Sequence, residues 1–101
     1  MSEKPYLESE LTLQRLASIL AVSPHHLSQA INQKLNRNFH QLVNHYRIEE
    51  AKTMLLSKEH RYLNIAAVAF EVGFNSLSAF NTAFKKHVRM TPSQFRKSYQ
   101  A

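Results

Sequence analysis

The sequence repeats itself. Ala17 and Ala21 stand four residues apart, and 52 positions later the same spacing returns as Ala69 and Gly73. Leu27 and Ile31 return as Phe80 and Phe84, now 53 positions on, so the turn of the second copy is one residue longer. A small residue where two helices cross lets their backbones approach. Ala or Gly opening the turn avoids a clash, and a large apolar residue then pins the second helix. That is the physical recipe of a helix-turn-helix, and this chain carries it twice.

Start and stop signals divide the chain to match. Thr12 is placed to cap a helix through Leu20, with Leu13, Leu16, Ala17 and Leu20 on its apolar face. Ser23-Pro24 opens the next helix, which buries Leu27, Ala30 and Ile31 and ends near Leu35, where Asn36 tolerates a left-handed backbone. Asn38, with Gln41 completing a capping box, launches the longest helix, through about Ser57. After a loop from Lys58, Asn64 caps a helix that stops at Gly73, the single glycine. Asn75 or Ser76 starts another, to about Val88, and Thr91-Pro92 starts a last short one holding Phe95. A short helix around Tyr6-Leu7 or a frayed end precedes them all. The prediction is an all-α fold of six to seven helices, with helix-turn-helix subdomains over 1–37 and 58–101 joined by a linker helix over 38–57. All ten Phe and Tyr residues fit in or near the core, apart from Tyr62 and Tyr99.

Composition supports helices and narrows the function. One glycine and three prolines supply few turns for a many-stranded sheet, and 44% hydrophobic residues suffice for a core. There is no cysteine, which excludes disulfides and thiolate metal sites and fits a reducing cytoplasm. No apolar run approaches the roughly 20 residues of a membrane span. The net charge is +6, and its layout says more than its size. No acidic residue lies between Glu10 and Glu49, and none follows Glu71. Arg15, Lys34 and Arg37 occupy the first gap; Lys85, Lys86, Arg89, Arg96 and Lys97 occupy the second. Two positive lobes around a mixed-charge middle suit two contacts with a polyanion.

In a helix-turn-helix the second helix enters the major groove and its exposed face reads base edges. For the first unit that face carries His25, Ser28, Gln29, Asn32 and Gln33; for the second, Leu77, Ser78, Asn81 and Thr82. Gln and Asn pair in bidentate fashion with adenine, and an exposed Leu suits a thymine methyl. Lys34, Arg37, Lys85, Lys86, Arg96 and Lys97 suit phosphate contact. Arg47, beside Glu49 and Glu50, is expected in an internal ion pair. The linker helix, spanning about 27 Å at 1.5 Å per residue, would hold two reading helices for successive grooves about 34 Å apart. Chemistry finds no purchase. The six His residues show no HExxH spacing, and the chain has no Asp and no phosphate-cradling glycine loop. No catalytic residue, metal site or cofactor is predicted.

Ile65-Ala66-Ala67-Val68-Ala69, Gly73-Phe74-Asn75-Ser76, Phe80, Phe84-Lys85-Lys86, Thr91-Pro92 and Phe95-Arg96 together resemble the signature of AraC/XylS-type transcriptional regulators. Leu16-Ala17, Ser23, Leu27, Phe39, Arg47, Ala51 and Leu55-Leu56 fit the first half of the pattern, so the resemblance covers about residues 8–98. It implies two helix-turn-helix subdomains on promoter DNA in the bacterial cytoplasm, with RNA polymerase as a partner if the regulator activates. The family commonly has Gly where this chain has Asn36 and Arg89; at Arg89 a differently shaped loop or a grip on phosphate is expected. Members usually carry a separate sensing or dimerisation domain. This chain is therefore expected to be the C-terminal piece of a longer regulator, with no small-molecule ligand of its own and a membrane tether possible elsewhere. The alternative from another class is a helical protein-interaction module whose basic surface docks an acidic partner. RNA is disfavoured, because A-form grooves do not admit a reading helix.

Overall fold

Every α-helix of this protein begins on a side-chain oxygen. In the computed structural model, which describes residues 4–99, the helices are α1 (Leu13–Ile19), α2 (Pro24–Leu35), α3 (Phe39–Leu56), α4 (Ile65–Glu71), α5 (Leu77–Val88) and α6 (Pro92–Ser98). Short 3-10 turns stand at Pro5–Leu7 and Lys58–His60, and no strand occurs among the described residues. Glu3 and the ends of the chain at 1–3 and 100–101 lie outside them. Thr12, Ser23, Asn38, Asn64, Ser76 and Thr91 each accept the backbone N–H three residues on, at 2.8 to 3.1 Å. Each cap satisfies a donor that the helix cannot, and contributes about 1 kcal/mol. Asn38 with Gln41, and Thr91 with Gln94, form full capping boxes. These boxes are again 53 residues apart, so the repeat runs on into the helix after each reading helix.

The turns repeat as well. Ala21 (φ 57°) and Gly73 (φ 102°) both adopt left-handed backbone, as do Asn36 (φ 52°) and Arg89 (φ 74°) at the ends of α2 and α5. The expectation of a different loop at Arg89 is therefore corrected. Its backbone takes the same left-handed cap as Asn36, and its N–H donates to the Lys85 carbonyl at 2.9 Å. Glycine is required at only one of the paired turns. A Cβ on Gly73 would lie 2.8 Å from Arg47 Nε and 2.9 Å from the carbonyl oxygens of Tyr6 and Leu7. Ala21 is exposed, so its methyl has room.

Arg47 explains that crowding and overturns its expected ion pair. It is 8% exposed, donates Nε to the Tyr6 carbonyl and an NH2 proton to the Glu8 carbonyl at 2.8 Å, and lies over the Phe74 ring. Glu50 is instead bound by Lys4 at 2.7 Å, and Glu49 by Lys52 at 2.9 Å. One arginine thus ties the N-terminal turn, α3 and the second unit's turn together. Its burial lowers the guanidinium pKa from the ordinary value.

The core lies mostly at one end. Phe74, Phe80, Phe84 and Phe95 form a chain of rings with centroids 5.3 to 5.6 Å apart, packed with Val68, Ala69, Val72 and, from α3, Ile48, Ala51 and Leu55. The first unit contributes Ala17 and Ile31 as buried apolar residues, and Val43 of α3 lines a groove with Leu16 and Leu20 of that unit. The molecule is 45 Å long and about half as wide, with α3 as its shaft. Tyr62 and Tyr99 are exposed as expected, but so are Tyr46 and Phe70. Tyr46 stacks on Tyr6 at a centroid distance of 5.4 Å, and α4 turns Val68 and Ala69 inward, which leaves Phe70 outside.

Candidate nucleic-acid interface

α2 and α5 are twins in length and punctuation. Each has 12 residues, a Ser cap and no acidic residue in its first turn; the last turn carries Lys34 in α2 and Lys85, Lys86 and His87 in α5. With the buried face turned to the core, α2 leaves His25, Gln29, Asn32 and Gln33 exposed and Ser28 half-buried. α5 leaves Leu77, Ser78, Asn81 and Thr82 exposed. Both outward faces are thus free of carboxylates and mostly polar, with Leu77 and Ala79 of α5 and Leu35 at the end of α2 as exposed aliphatic side chains.

The cations divide into two groups. Lys34, Lys85, Lys86 and Lys97 are exposed, and Arg37 is half-buried beside α3. Thr82, Lys85, Lys86 and Arg89 line one shallow basin of about 560 Å³, which brings Arg89 into the basic surface. Arg96 departs from its expected place at phosphate. Its guanidinium donates to the carbonyls of Leu55 at 3.1 Å, Leu63 at 2.6 Å and His60 at 3.2 Å. These carbonyls belong to the end of α3 and the loop after it, so Arg96 closes that helix end and is removed from the phosphate group. The glutamates of α3 do not oppose the basic surface: each is held by a lysine, and the hydrogen bond from Lys52 keeps the Glu49 carboxyl below its ordinary pKa.

Between the two units runs a larger cleft of about 730 Å³. Arg37 and the first half of α3 form one wall; Thr82, Lys86 and His87 of α5 form the other, with Asn75 at the turn. Sequence patterning missed His40, Asn44 and Asn75 there. The signal available for them was the i, i+4 spacing of His40 and Asn44, which places both on one side of α3. Among the described residues no group of three or more His or Glu side chains is arranged to hold a metal ion.

The match to known proteins covers this whole arrangement. A family model described as a helix-turn-helix domain matches residues 16–98. The chain belongs to the AraC-type helix-turn-helix DNA-binding family. It is 30% identical over 93 residues to an HTH-type transcriptional regulator of Pseudoalteromonas carrageenovora, covering 92% of this chain and 53% of that one. The chain thus spans about half the length of that regulator, and less of other regulators it matches. Among solved structures, the C-terminal domain of AraT, a response regulator from Geobacillus stearothermophilus, superposes with a TM-score of 0.81 at 38% identity, covering 95% of this chain and 77% of that one. The DNA-binding domain of AdpA, solved in complex with a target DNA, shares the fold at a TM-score of 0.79 and 19% identity, covering 93% of this chain and 82% of that one. The AraC-type chain is thus a sequence-specific DNA-binding domain of a transcription factor, from a family that is not one of enzymes.

Proposed function

We propose that this domain reads a bipartite operator, with α2 and α5 entering two successive major grooves on one face of the duplex. The observation that carries the reading is the pair of matched, carboxylate-free helices, one in each unit, in a 45 Å molecule. A protein of that length reaches across the roughly 34 Å between grooves on one DNA face. In this reading His25, Ser28, Gln29, Asn32 and Gln33 meet bases in one groove, and Leu77, Ser78, Asn81 and Thr82 meet bases in the other. Lys34, Arg37, Lys85, Lys86 and Lys97 bind phosphates and set the register. The division into 1–37, 38–57 and 58–101 describes the two readers and their strut. The structure of the AdpA DNA-binding domain with a target DNA supports DNA as the ligand of this fold.

The greater length of the relatives supports a sensing or dimerisation domain elsewhere in the same polypeptide, acting with this one in the bacterial cytoplasm. If the regulator activates, RNA polymerase is the second partner. No helix among the described residues is long and apolar enough to cross a membrane. Titration of the chain on duplex DNA at several salt concentrations tests the reading. Five phosphate contacts predict that log K falls with log salt at a slope of about −4 to −5. Weak binding with a slope near zero would instead return the basic surface to an acidic protein partner.

A further inference from the structure

We propose that the cleft between the two units is itself a DNA contact, taking the sugar–phosphate backbone that passes between the two read grooves, with His40, Asn44 and Asn75 as its contact residues. The inference rests on the bipartite reading and adds a third surface to it. Neither unit makes this cleft alone. Arg37 at the exit of the first unit and Lys86 on the reading helix of the second face it from opposite sides. Any duplex that seats both reading helices carries its backbone across the gap, with one charge per 3.4 Å of each strand.

The lining fits that occupant. Arg37 and Lys86 supply fixed positive charge, His40, Asn44 and Asn75 supply hydrogen-bonding groups, and no carboxylate is among the described lining residues. Asn makes phosphate contacts of the kind that position a duplex without reading it, and a histidine ring N–H donates to an anionic oxygen in the same way. A buried small-molecule site is a poorer description, because such sites enclose most of their ligand. Here His40, Gln41, Asn75 and Thr82 are exposed. His40 and Asn44 lie one helical turn apart on one side of α3, with the Asn44 amide 3.3 Å from His40 Nε2.

Charge insertion separates this contact from folding. His40 sits in the first turn of α3 and Asn75 just before the cap of α5, where a carboxylate is favourable to the helix. His40→Glu and Asn75→Asp are therefore expected to leave the melting temperature unchanged or raised. Each is expected to weaken binding about tenfold on the preferred duplex and on a scrambled duplex alike. Thr53→Glu is the control: it is exposed and lies nine residues from Asn44, half a turn around α3, and should bind as the unaltered chain does. If the unaltered chain binds and both cleft variants match Thr53→Glu, the cleft does not meet DNA and the bipartite reading survives. If either variant changes the preferred sequence, the backbone assignment is overturned in favour of base contact. If the unaltered chain binds no duplex, the bipartite reading and the cleft fall together.

Discussion

The two helix-turn-helix units are built on one local plan and buried to different depths. Positions related by the repeat make the contrast direct. Val72 is fully buried where its counterpart Leu20 is 42% exposed, and Phe74 is buried where Val22 is 39% exposed. Phe80 is sealed where Leu27 is half-buried. The reason lies in α3, which commits Ile48, Ala51 and Leu55 to the second unit and mainly Val43 to the first. The second unit also has four phenylalanines where the first has aliphatic side chains. Matched caps therefore produce helices of equal length but not of equal burial. The second unit is the anchored one, and the first is attached to it through the N-terminal half of the shaft.

Truncating paired anchors is the strongest way to break that comparison. Phe80→Ala empties a sealed site and should cost about 4 kcal/mol, whereas Leu27→Ala should cost about 1–2 kcal/mol because its side chain is already half in water. Urea denaturation of both variants measures the difference, and equal losses would remove the asymmetry. The paired turns come next. Gly73→Ala drives a methyl into Arg47 and two carbonyls at a left-handed φ and should cost about 3 kcal/mol. Ala21→Gly relieves the same backbone where there is no such crowding, and should be neutral or stabilising by up to about 1 kcal/mol. Thermal melts of the pair check this, and a large loss at both positions would mean that the turns are equally enclosed.

Arginine and lysine roles separate at a smaller scale. Arg96→Ala strands three carbonyls and should cost about 2 kcal/mol of stability while leaving the salt slope of DNA binding in place. Lys86→Ala should do the reverse, reducing the slope by about one with little change in stability. A slope that falls with Arg96 would restore it to the phosphate group. The smallest effect is acid sensitivity of the α3–α5 contact. His45 is held below the ordinary histidine pKa by burial and by the positive charges of Arg37, His87 and Lys52, against the opposing pull of Glu49. Its imidazole ring lies 5.0 Å from that of His87. A depressed folded-state pKa means that its contribution is complete above about pH 6.5 and is lost as pH falls through that value toward the lower folded one. Denaturation midpoints at pH 7.5 and 5.5 should converge in His45→Gln relative to the unaltered chain; an unchanged acid loss would place the sensitivity elsewhere.

Local features were legible in the sequence because they depend on neighbours. Ser23, Asn38, Asn64 and Thr91 cap where their side chains reach the third N–H onward, and Asn36 turns left-handed at a helix end as its type allows. The family resemblance rests on the same short-range motifs. Long-range placements were not legible. Arg47 and Arg96 bond carbonyls 33 to 41 residues away, and the glutamates next to Arg47 pointed to an ion pair instead. Phe70 and Tyr46 were expected inside on hydrophobicity alone, although only helix packing decides which aromatic faces out. The interface divides along the same line. The outward faces of α2 and α5 follow from helical spacing, but the cleft of His40, Asn44 and Asn75 exists only once α3 brings the two units together.

In the bipartite reading each unit reads its own half of one DNA site. Selection of randomised duplex DNA on the unaltered chain, on Gln29→Ala and on Asn81→Ala tests it most directly. Two preferred blocks about 10 base pairs apart are expected, with Gln29→Ala relaxing one or two base pairs of one block and Asn81→Ala relaxing only the other. A single block, or two variants that disturb the same base pairs, would contradict it.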